Sequence, residues 1–367
     1  MFLKYKNKKD IKEIEAIIEN KRSIIKPFKR ENEKGIFIHG ENFESMVMLL
    51  DEFENKIDLI YIDPPFNTNS NFYYNEKNTS TISVSKSDNI AYSDKMSFEE
   101  YIEFIRERLV LIKKLLSSKG TLYFHIDCKM GHYIKIILDE IFGIDNYIND
   151  ITRIKSNPKN FKRKAFGNEK DVIYIYSKNF QKNIFNDITI PLSDEEIKKM
   201  FPKIDINGRR YTTVPCHAPG ETKNGNTGGE WKGMFPPKGR HWRCSPNELD
   251  ILDENNLIEW SKNGVPRIKK FSDEHKGKKI QDIWKNFKDP QYPIYPTEKN
   301  FEMLSLIISQ SSKEQSVIMD CFCGSSGFLI AGINKNRYTI GIDKSDIAKE
   351  VLLKKRGKIK DLLLIEL

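Results

Sequence analysis

The stretch Ile57-Asp58-Leu59-Ile60-Tyr61-Ile62-Asp63-Pro64-Pro65-Phe66 decides how this chain is read. Asp58 to Ile62 is rich in Ile and Leu, as a strand buried on both faces requires, and the proline pair forbids its continuation. The strand is therefore predicted to stop at Asp63. One carboxylate, backbone carbonyls without ladder partners and the ring of Phe66 then gather at the carboxyl end of a parallel strand, where open α/β sheets bind ligands. Such a corner suits a planar amine: the carboxylate and a carbonyl accept its N–H bonds while the ring stacks on its face. An ordinary strand-ending turn is the competing reading.

Outward from this corner, helical and strand periods alternate. Upstream, Ile11 to Asn20 reads as a short helix, Ile36 to His39 as a strand leading into Gly40-Glu41-Asn42, and Glu44 to Phe53 as a helix. Downstream, Asn67 to Asn89 is polar without a period and reads as a loop. Ser97 then opens a helix with Glu100 at capping-box spacing. Phe98, Tyr101, Ile102, Ile105, Leu109, Ile112 and Leu116 form its apolar stripe, and Gly120 is expected to end it. Thr121 to Ile126 and Val172 to Tyr176 read as strands flanking a helix at Tyr133 to Phe142, an order that predicts a parallel sheet. Between Lys178 and Asp289 the pattern changes to scattered Gly, Pro and Trp. It resumes with a helix at Glu298 to Ser311 and strands at Val317 to Asp320 and Tyr338 to Asp343. The expected fold class is α/β, with a helical extension over 1–34, a core split between 35–177 and 291–367, and an insertion over 178–290.

Near the carboxyl end, Val317 to Gly327 reads VIMDCFCGSSG, a strand, an acid and a small-residue turn opening a helix. About twenty residues on, the next strand ends in Asp343. A glycine-rich turn lets a ligand approach the backbone, and an acid ending the neighbouring strand can accept both hydroxyls of a ribose. A nucleoside-containing cofactor fits, as would a dinucleotide or close helix packing.

The chain of 367 residues has 38% hydrophobic content and a formal charge of +9, adequate for a real core and weakly favourable to a polyanionic partner. No stretch approaches a membrane span and the lysine-studded amino terminus has no apolar core, so no membrane association and a cytoplasmic protein are expected. Cys128, Cys216, Cys244, Cys321 and Cys323 lack a disulfide spacing and read as reduced thiols. Cys216-His217 and His241-x-x-Cys244 lack tight paired spacing, so no metal is expected. Lys155, Lys159, Lys162, Arg163 and Lys164, interleaved with Asn157, Asn160 and Phe161, read either as a phosphate grip or as a solvated loop. In the insertion, Arg240, His241, Trp242 and Arg243 offer donors for phosphates or base edges, with Trp242 read as a core residue.

Asp63-Pro64-Pro65-Phe66 resembles the D-P-P-[YF] signature of amino-methyltransferases acting on DNA adenine, and Asn67-Thr68 is common in their β class. The turn Asp320-x-Phe322-x-Gly324-Ser325 resembles their S-adenosylmethionine motif, usually D-P-F-x-G-S-G-T. Here Cys321 replaces the proline and Ser326 stands at the second glycine, with Gly327 one place late. Tyr295 to Asn300 resembles the family's H-P-T-x-K-P segment. In this order the chain is similar to β-class DNA methyltransferases, including modification subunits of type III restriction systems and related type II enzymes.

The resemblance implies a Rossmann-like methyltransferase sheet with an inserted target-recognition module. It implies transfer of a methyl group from S-adenosylmethionine to the N6 amine of a flipped-out adenine in double-stranded DNA, within a restriction-modification or epigenetic system. By it, Asp63, Pro64, Pro65 and Phe66 are catalytic. Glu41, Thr297, Lys299, Asp320, Phe322, Gly324, Ser325 and Asp343 bind the cofactor, with Lys299 near its carboxylate. Lys155, Lys159, Lys162, Arg163, Lys164, Arg240 and Arg243 hold DNA, and a second copy or a restriction subunit is the expected protein partner. The rivals are an N4-cytosine methyltransferase, whose signature usually begins with Ser, and a non-catalytic DNA-binding subunit.

Overall fold

The structure, a computed structural model, describes residues 2–65, 71–74, 89–93, 96–157, 164–222, 225–293, 295, 298–356 and 361–367. Contacts divide the chain into a first unit, Met1–Ile188 with Gln281–Leu367, and a second, Thr189–Ile280. In chain order the first unit carries α1 (Ile11–Ile24), β1 (Gly35–His39), α2 (Asn42–Phe53), β2 (Ile57–Ile62), α3 (Phe98–Leu115), β3 (Leu116–Asp127) and α4 (Cys128–Phe142). There follow β4 (Tyr147–Ile154), β5 (Lys170–Ser177), β6 (Ile283–Trp284), α5 (Phe301–Ser311), β7 (Val317–Asp320), α6 (Gly327–Asn334), β8 (Tyr338–Asp343), α7 (Asp346–Arg356) and β9 (Leu362–Glu366).

These strands form one sheet in the order β6-β4-β5-β3-β2-β7-β8-β1-β9. Neighbours are parallel except where β5 is one of the pair. The expected all-parallel order is therefore corrected at β5. The cause is β4, whose sequence YINDITRI carries too many polar residues to read as a strand, because much of it is only half-buried. β4 and β5 are sequential antiparallel neighbours and need no helical crossover. The sheet is thus mixed, within an α/β fold.

The chain leaves β2 through α3 to β3 on one side, and leaves β7 through α6 to β8 on the other. The crossovers diverge between β2 and β7, which makes the crevice at their carboxyl ends the switch point where such sheets bind ligands. Ile60 pairs with Met319, so Asp63 and Asp320 emerge from adjacent strands although most of the sequence separates them.

Several boundaries differ from expectation. Helix α3 has the expected capping box at Ser97 and Glu100 but ends at Leu115, not Gly120. Leu116 already belongs to β3, and a register shift sets it opposite Ile57 while Thr121 faces Leu59. A Cβ on Gly120 would lie 2.8 Å from the Ile57 carbonyl oxygen, so glycine serves this close approach rather than a helix end. Helix α5 begins at Phe301 with Asn300 as its cap, not at Glu298. Part of the segment read as a loop forms a hairpin, Asn71–Tyr74 against Asn89–Ser93. The α3 stripe is buried as expected apart from the half-buried Phe98, and Glu103, Arg106 and Arg108 are buried too. Arg106 pairs with Glu103 and Glu140 and donates to the Lys9 carbonyl oxygen, tying the amino-terminal segment to the core.

The second unit has a four-stranded sheet ordered Ile258–Trp260, Pro266–Phe271, Arg210–Pro215 and Lys203–Ile204, and a ribbon of His217–Pro219 with Arg240–Trp242. It has its own core of Cys216, Trp231, Trp242, Leu249, Ile258 and Ile268. Trp242 is buried and its indole N–H donates to the Gly229 carbonyl oxygen. Burial pushes the Cys216 thiol up to about 11. Residues 178–188 and 281–290, read from sequence as part of the insertion, group with the first unit. Among the described residues no helix is long and apolar enough to cross a membrane.

Candidate active site

A cavity of about 750 Å³ opens at the switch point. Its walls include Asp63, Pro64 and Pro65 after β2, the turn after β7, Gly40 to Asn42 after β1, Asp343 to Ile347 after β8, and Lys299. The first unit supplies every lining residue.

At the Asp63 corner the side chains form a charge network. Asp63 Oδ2 lies 2.8 Å from Lys299 Nζ. Burial disfavours the Lys299 charge, but Asp63 first, then Asp289 and Asp171, hold the ammonium above its ordinary value. Asp63 Oδ1 is shielded from solvent and has no hydrogen-bond partner among the described residues. It lies 3.9 Å from Nδ1 of His125, a ring wholly buried on the neighbouring strand.

His125 is fixed at both nitrogens. Nε2 lies 3.2 Å from Asp171 Oδ2, and Nδ1 lies 2.8 Å from the Tyr61 hydroxyl. An ionised Asp171 can only accept, so Nε2 carries the ring proton and Nδ1 accepts from Tyr61. Burial pushes the imidazole down against the pull of the Asp171 hydrogen bond and the Asp63 charge, which favours the neutral ring. Burial also opposes charge on Asp171, but the His125 hydrogen bond and the charges of Lys155 and Lys299 hold its carboxyl well below the usual range. Arg153, wholly buried, contacts Asp171 at 3.4 Å, pairs with Asp289 and donates to the Phe287 carbonyl oxygen at 2.8 Å. Lys155 completes the set, 2.7 Å from Asp171. Asp63, Asp171 and Asp289 balance Arg153, Lys155 and Lys299.

At the opposite corner, carboxylates hold backbone. Asp320 accepts from the Phe322 N–H at 2.9 Å, and Asp343 accepts from Gly324 and Ser345 at 2.7 and 2.9 Å. Burial, with the Asp63 and Asp343 charges, raises the Asp320 carboxyl well above its ordinary value, and burial raises Asp343 against its two N–H donors. Burial likewise raises the thiols of Cys321 and Cys323, which pack un-ionised. Gly324 has φ +47° and little room beside the Tyr295 ring, 3.2 Å from where a Cβ would stand. Ser326 takes the left-handed conformation at φ +61°.

Arg108 on α3 clamps this corner. Its Nε donates to Asn42 Oδ1 at 2.6 Å, the Asn42 amide donates to the Cys321 carbonyl oxygen at 3.0 Å, and a second guanidinium nitrogen pairs with Glu41. The guanidinium lies 3.4 Å over the Phe104 ring, which meets Phe322 edge-on.

Of the expected catalytic residues, Asp63, Pro64 and Pro65 line the cavity, and Phe66 lies outside the described residues. Glu41, Lys299, Asp320, Phe322, Gly324, Ser325 and Asp343 line it as well. Glu41 also caps α2, accepting from Phe43 and Glu44. Thr297 lies outside the described residues, as do Lys159, Lys162 and Arg163. Lys155 spends its charge on Asp171, whereas Lys164 is exposed. Arg240 and Arg243 are exposed on the second unit, where Arg240 contacts His217 and Arg243 donates to the Pro215 carbonyl oxygen. Sequence reading missed Tyr61, His125, Arg153, Asp171 and Asp289, and Arg108 with Asn42. A histidine inside an otherwise apolar strand, TLYFHID, was the one available signal.

The profile of the DNA methylase family (N6_N4_Mtase) matches residues 57–354. The type II methyltransferase M.EcaI of Enterobacter cloacae is 40% identical over 324 residues, 87% of this chain and 68% of that one. The type III restriction-modification enzyme StyLTI Mod subunit of Salmonella typhimurium is 23% identical over 80% of this chain and 49% of its own length. The chain thus spans about two thirds of the first relative and about half of the second. Among solved structures, TTHA0409 of Thermus thermophilus, a putative DNA modification methylase, aligns over 90% of this chain and 99% of its own, with 12% identity and a TM-score of 0.47. With a profile covering most of its length and an extended match to M.EcaI, the chain belongs to the DNA methylase family.

Proposed function

We propose that this DNA methylase transfers a methyl group from S-adenosylmethionine to the N6 amine of adenine. The observation that carries the reading is the pairing of Ile60 with Met319, by which the Asp63 corner and the turn at Gly324 share one cavity. A volume of about 750 Å³ is in the range of cofactor and ligand sites. Asp343, already oriented by two backbone N–H groups, keeps lone pairs for ribose hydroxyls. Phe322 offers a ring beside Glu41 and Asn42, so the residues present fit the nucleoside of the cofactor. When bound, the cofactor supplies an electrophilic methyl group on a sulfonium.

The chain's own part is positioning. The lone pair of the target nitrogen is delocalised into the ring. Asp63, with Oδ1 shielded, offers Oδ2 to its N–H and favours a more tetrahedral, nucleophilic amine. Lys299 holds that carboxylate in place, a role distinct from the cofactor contact expected for it. A base in a duplex cannot reach a strand-end crevice, so the adenine is flipped out. The second unit carries target choice, with the exposed Arg240 and Arg243 toward DNA. The protein acts in the cytoplasm, and a second copy or a restriction subunit is its partner, as the word Mod subunit in one relative's name suggests. Aspartate, rather than serine, at the head of the motif favours adenine over cytosine.

Expression in cells without endogenous methylation, followed by sequencing that reads modified bases, tests this. N6-methyladenine at one sequence is expected. N4-methylcytosine alone would overturn the choice of base, and no mark together with no heat on S-adenosylmethionine binding would overturn the enzyme reading.

A further inference from the structure

We propose that His125, backed by Asp171, is a positioning residue for the transfer, fixing the one rotation of the Asp63 carboxylate in which the target amine is met. The inference rests on the role of Asp63 argued above. His125 is wholly buried, so it touches neither DNA nor cofactor. Both of its ring nitrogens are engaged, at 3.2 Å by Asp171 and at 2.8 Å by the Tyr61 hydroxyl, so the ring cannot turn without breaking both contacts. Asp171 is itself immobilised by Arg153 and Lys155.

A carboxylate is symmetric about its Cβ–Cγ bond and turns easily when nothing opposes it. Here Asp63 Oδ1 rests 3.9 Å from the fixed ring, out of solvent and without a hydrogen bond among the described residues, while Oδ2 is held by Lys299 at 2.8 Å. A buried acceptor without a donor costs about 1–3 kcal/mol. The surroundings therefore impose this orientation at the expense of Oδ1's own hydrogen bonding, and they leave Oδ2, beside Lys299, as the oxygen presented in advance to the target amine. The wall comes from one strand, the cation from the segment before α5, and the support behind the wall from β4 and β5. Small misplacements of such a group are costly, because an error near 1 Å reduces rates by about 100-fold.

Single-turnover methyl transfer with cofactor and DNA saturating separates this role from a merely structural one. The amplitude reports the folded fraction and the rate constant reports the geometry. In His125→Leu the wall and both ties are lost, and the rate constant is expected to fall about 10- to 100-fold. S-Adenosylmethionine affinity by calorimetry should stay within about twofold. His125→Asn keeps an acceptor near the Nδ1 position for Tyr61 and should fall less. Tyr61→Phe removes one tie and keeps the ring, so it serves where the leucine variant does not fold. Wild-type rate constants with reduced amplitudes in the Asn and Phe variants would overturn the proposal. Absence of transfer by the unaltered protein would instead overturn the reading of Asp63.

Discussion

At the Asp63 corner a carboxylate is held by side-chain charges from segments far apart in the chain, whereas at the Asp320 corner carboxylates at strand ends hold the backbone of a local turn. The first arrangement exists only once β2, β3, β4, β5 and the segment before α5 have come together. The second needs only two neighbouring strands and the turn between β7 and α6. A network of buried charges orients chemistry, because removing one member leaves its partner unpaired in a poor solvent for ions. A backbone cradle binds a ligand, because its donors are pre-set by the turn. The two corners should therefore fail differently when altered.

The largest effect is expected at Asp63. Asp63→Ala removes the acceptor and should lower the single-turnover rate by about 1000-fold or more. S-Adenosylmethionine affinity, measured by calorimetry, should change only a few-fold, since Asp63 acts on the Asp320 corner only through space. Equal losses in rate and affinity would dissolve the distinction between the corners.

The same distinction explains how much was legible in the sequence. Asp63-Pro64-Pro65 and the turn from Asp320 to Ser325 are contiguous, and backbone geometry forces proline, glycine and small residues into them, so they could be read directly. Their adjacency was required only by the inferred transfer, and the pairing of β2 with β7 supplies it. His125, Arg153, Asp171 and Asp289 carry no local constraint; each sits in or beside a strand where a polar residue reads as an ordinary exception. Lys155 and Lys299 were seen, but as cations for DNA and for the cofactor, because a sequence does not show which buried carboxylate stands opposite a lysine. β4 escaped for the related reason that its half-buried faces tolerate polar residues.

A smaller effect, on binding rather than rate, is expected at the clamp. Arg108→Met breaks the bridge from α3 to Glu41 and Asn42 and loosens the turn that Asn42 holds at Cys321. The dissociation constant for S-adenosylmethionine should rise about tenfold, equivalent to about 1.4 kcal/mol. The rate constant at saturating cofactor should change less than about threefold. A loss confined to the rate would make Arg108 part of the Asp63 corner instead.

Asp320 sharpens the comparison through pH. Its folded carboxyl is raised well above the ordinary value by burial and by the charges of Asp63 and Asp343. A group raised on folding contributes stability that is complete below its unfolded value and is lost as pH rises through the folded value. Asp320→Asn cannot lose a proton, so its stability relative to the unaltered protein should increase as pH climbs above the ordinary carboxylate range. Denaturant unfolding of the two proteins at a series of pH values checks this, and parallel curves would show that Asp320 is ionised in both states.

The smallest effect is expected at Ser326, where the turn departs from its usual form. Ser326 stands where a glycine is usual, yet its backbone takes the left-handed conformation at φ +61° that glycine favours, and its hydroxyl makes no cap hydrogen bond to α6. The turn thus keeps its geometry and bears a local strain of about 1–2 kcal/mol. Ser326→Gly relieves that strain but gives the unfolded chain more freedom, worth about 0.5–1 kcal/mol in the other direction. The net expectation is a gain of about 0.5–1 kcal/mol in stability, read as an upward shift of about 1 °C in melting temperature. Ser326 is buried and its neighbours Ser325 and Gly327, not Ser326 itself, line the cavity. Cofactor affinity should accordingly stay within about twofold of the unaltered protein, because the cradle is made by backbone that both residues shape alike. A glycine variant that melts lower, or that binds the cofactor much more tightly, would show that the serine reshapes the turn rather than enduring it.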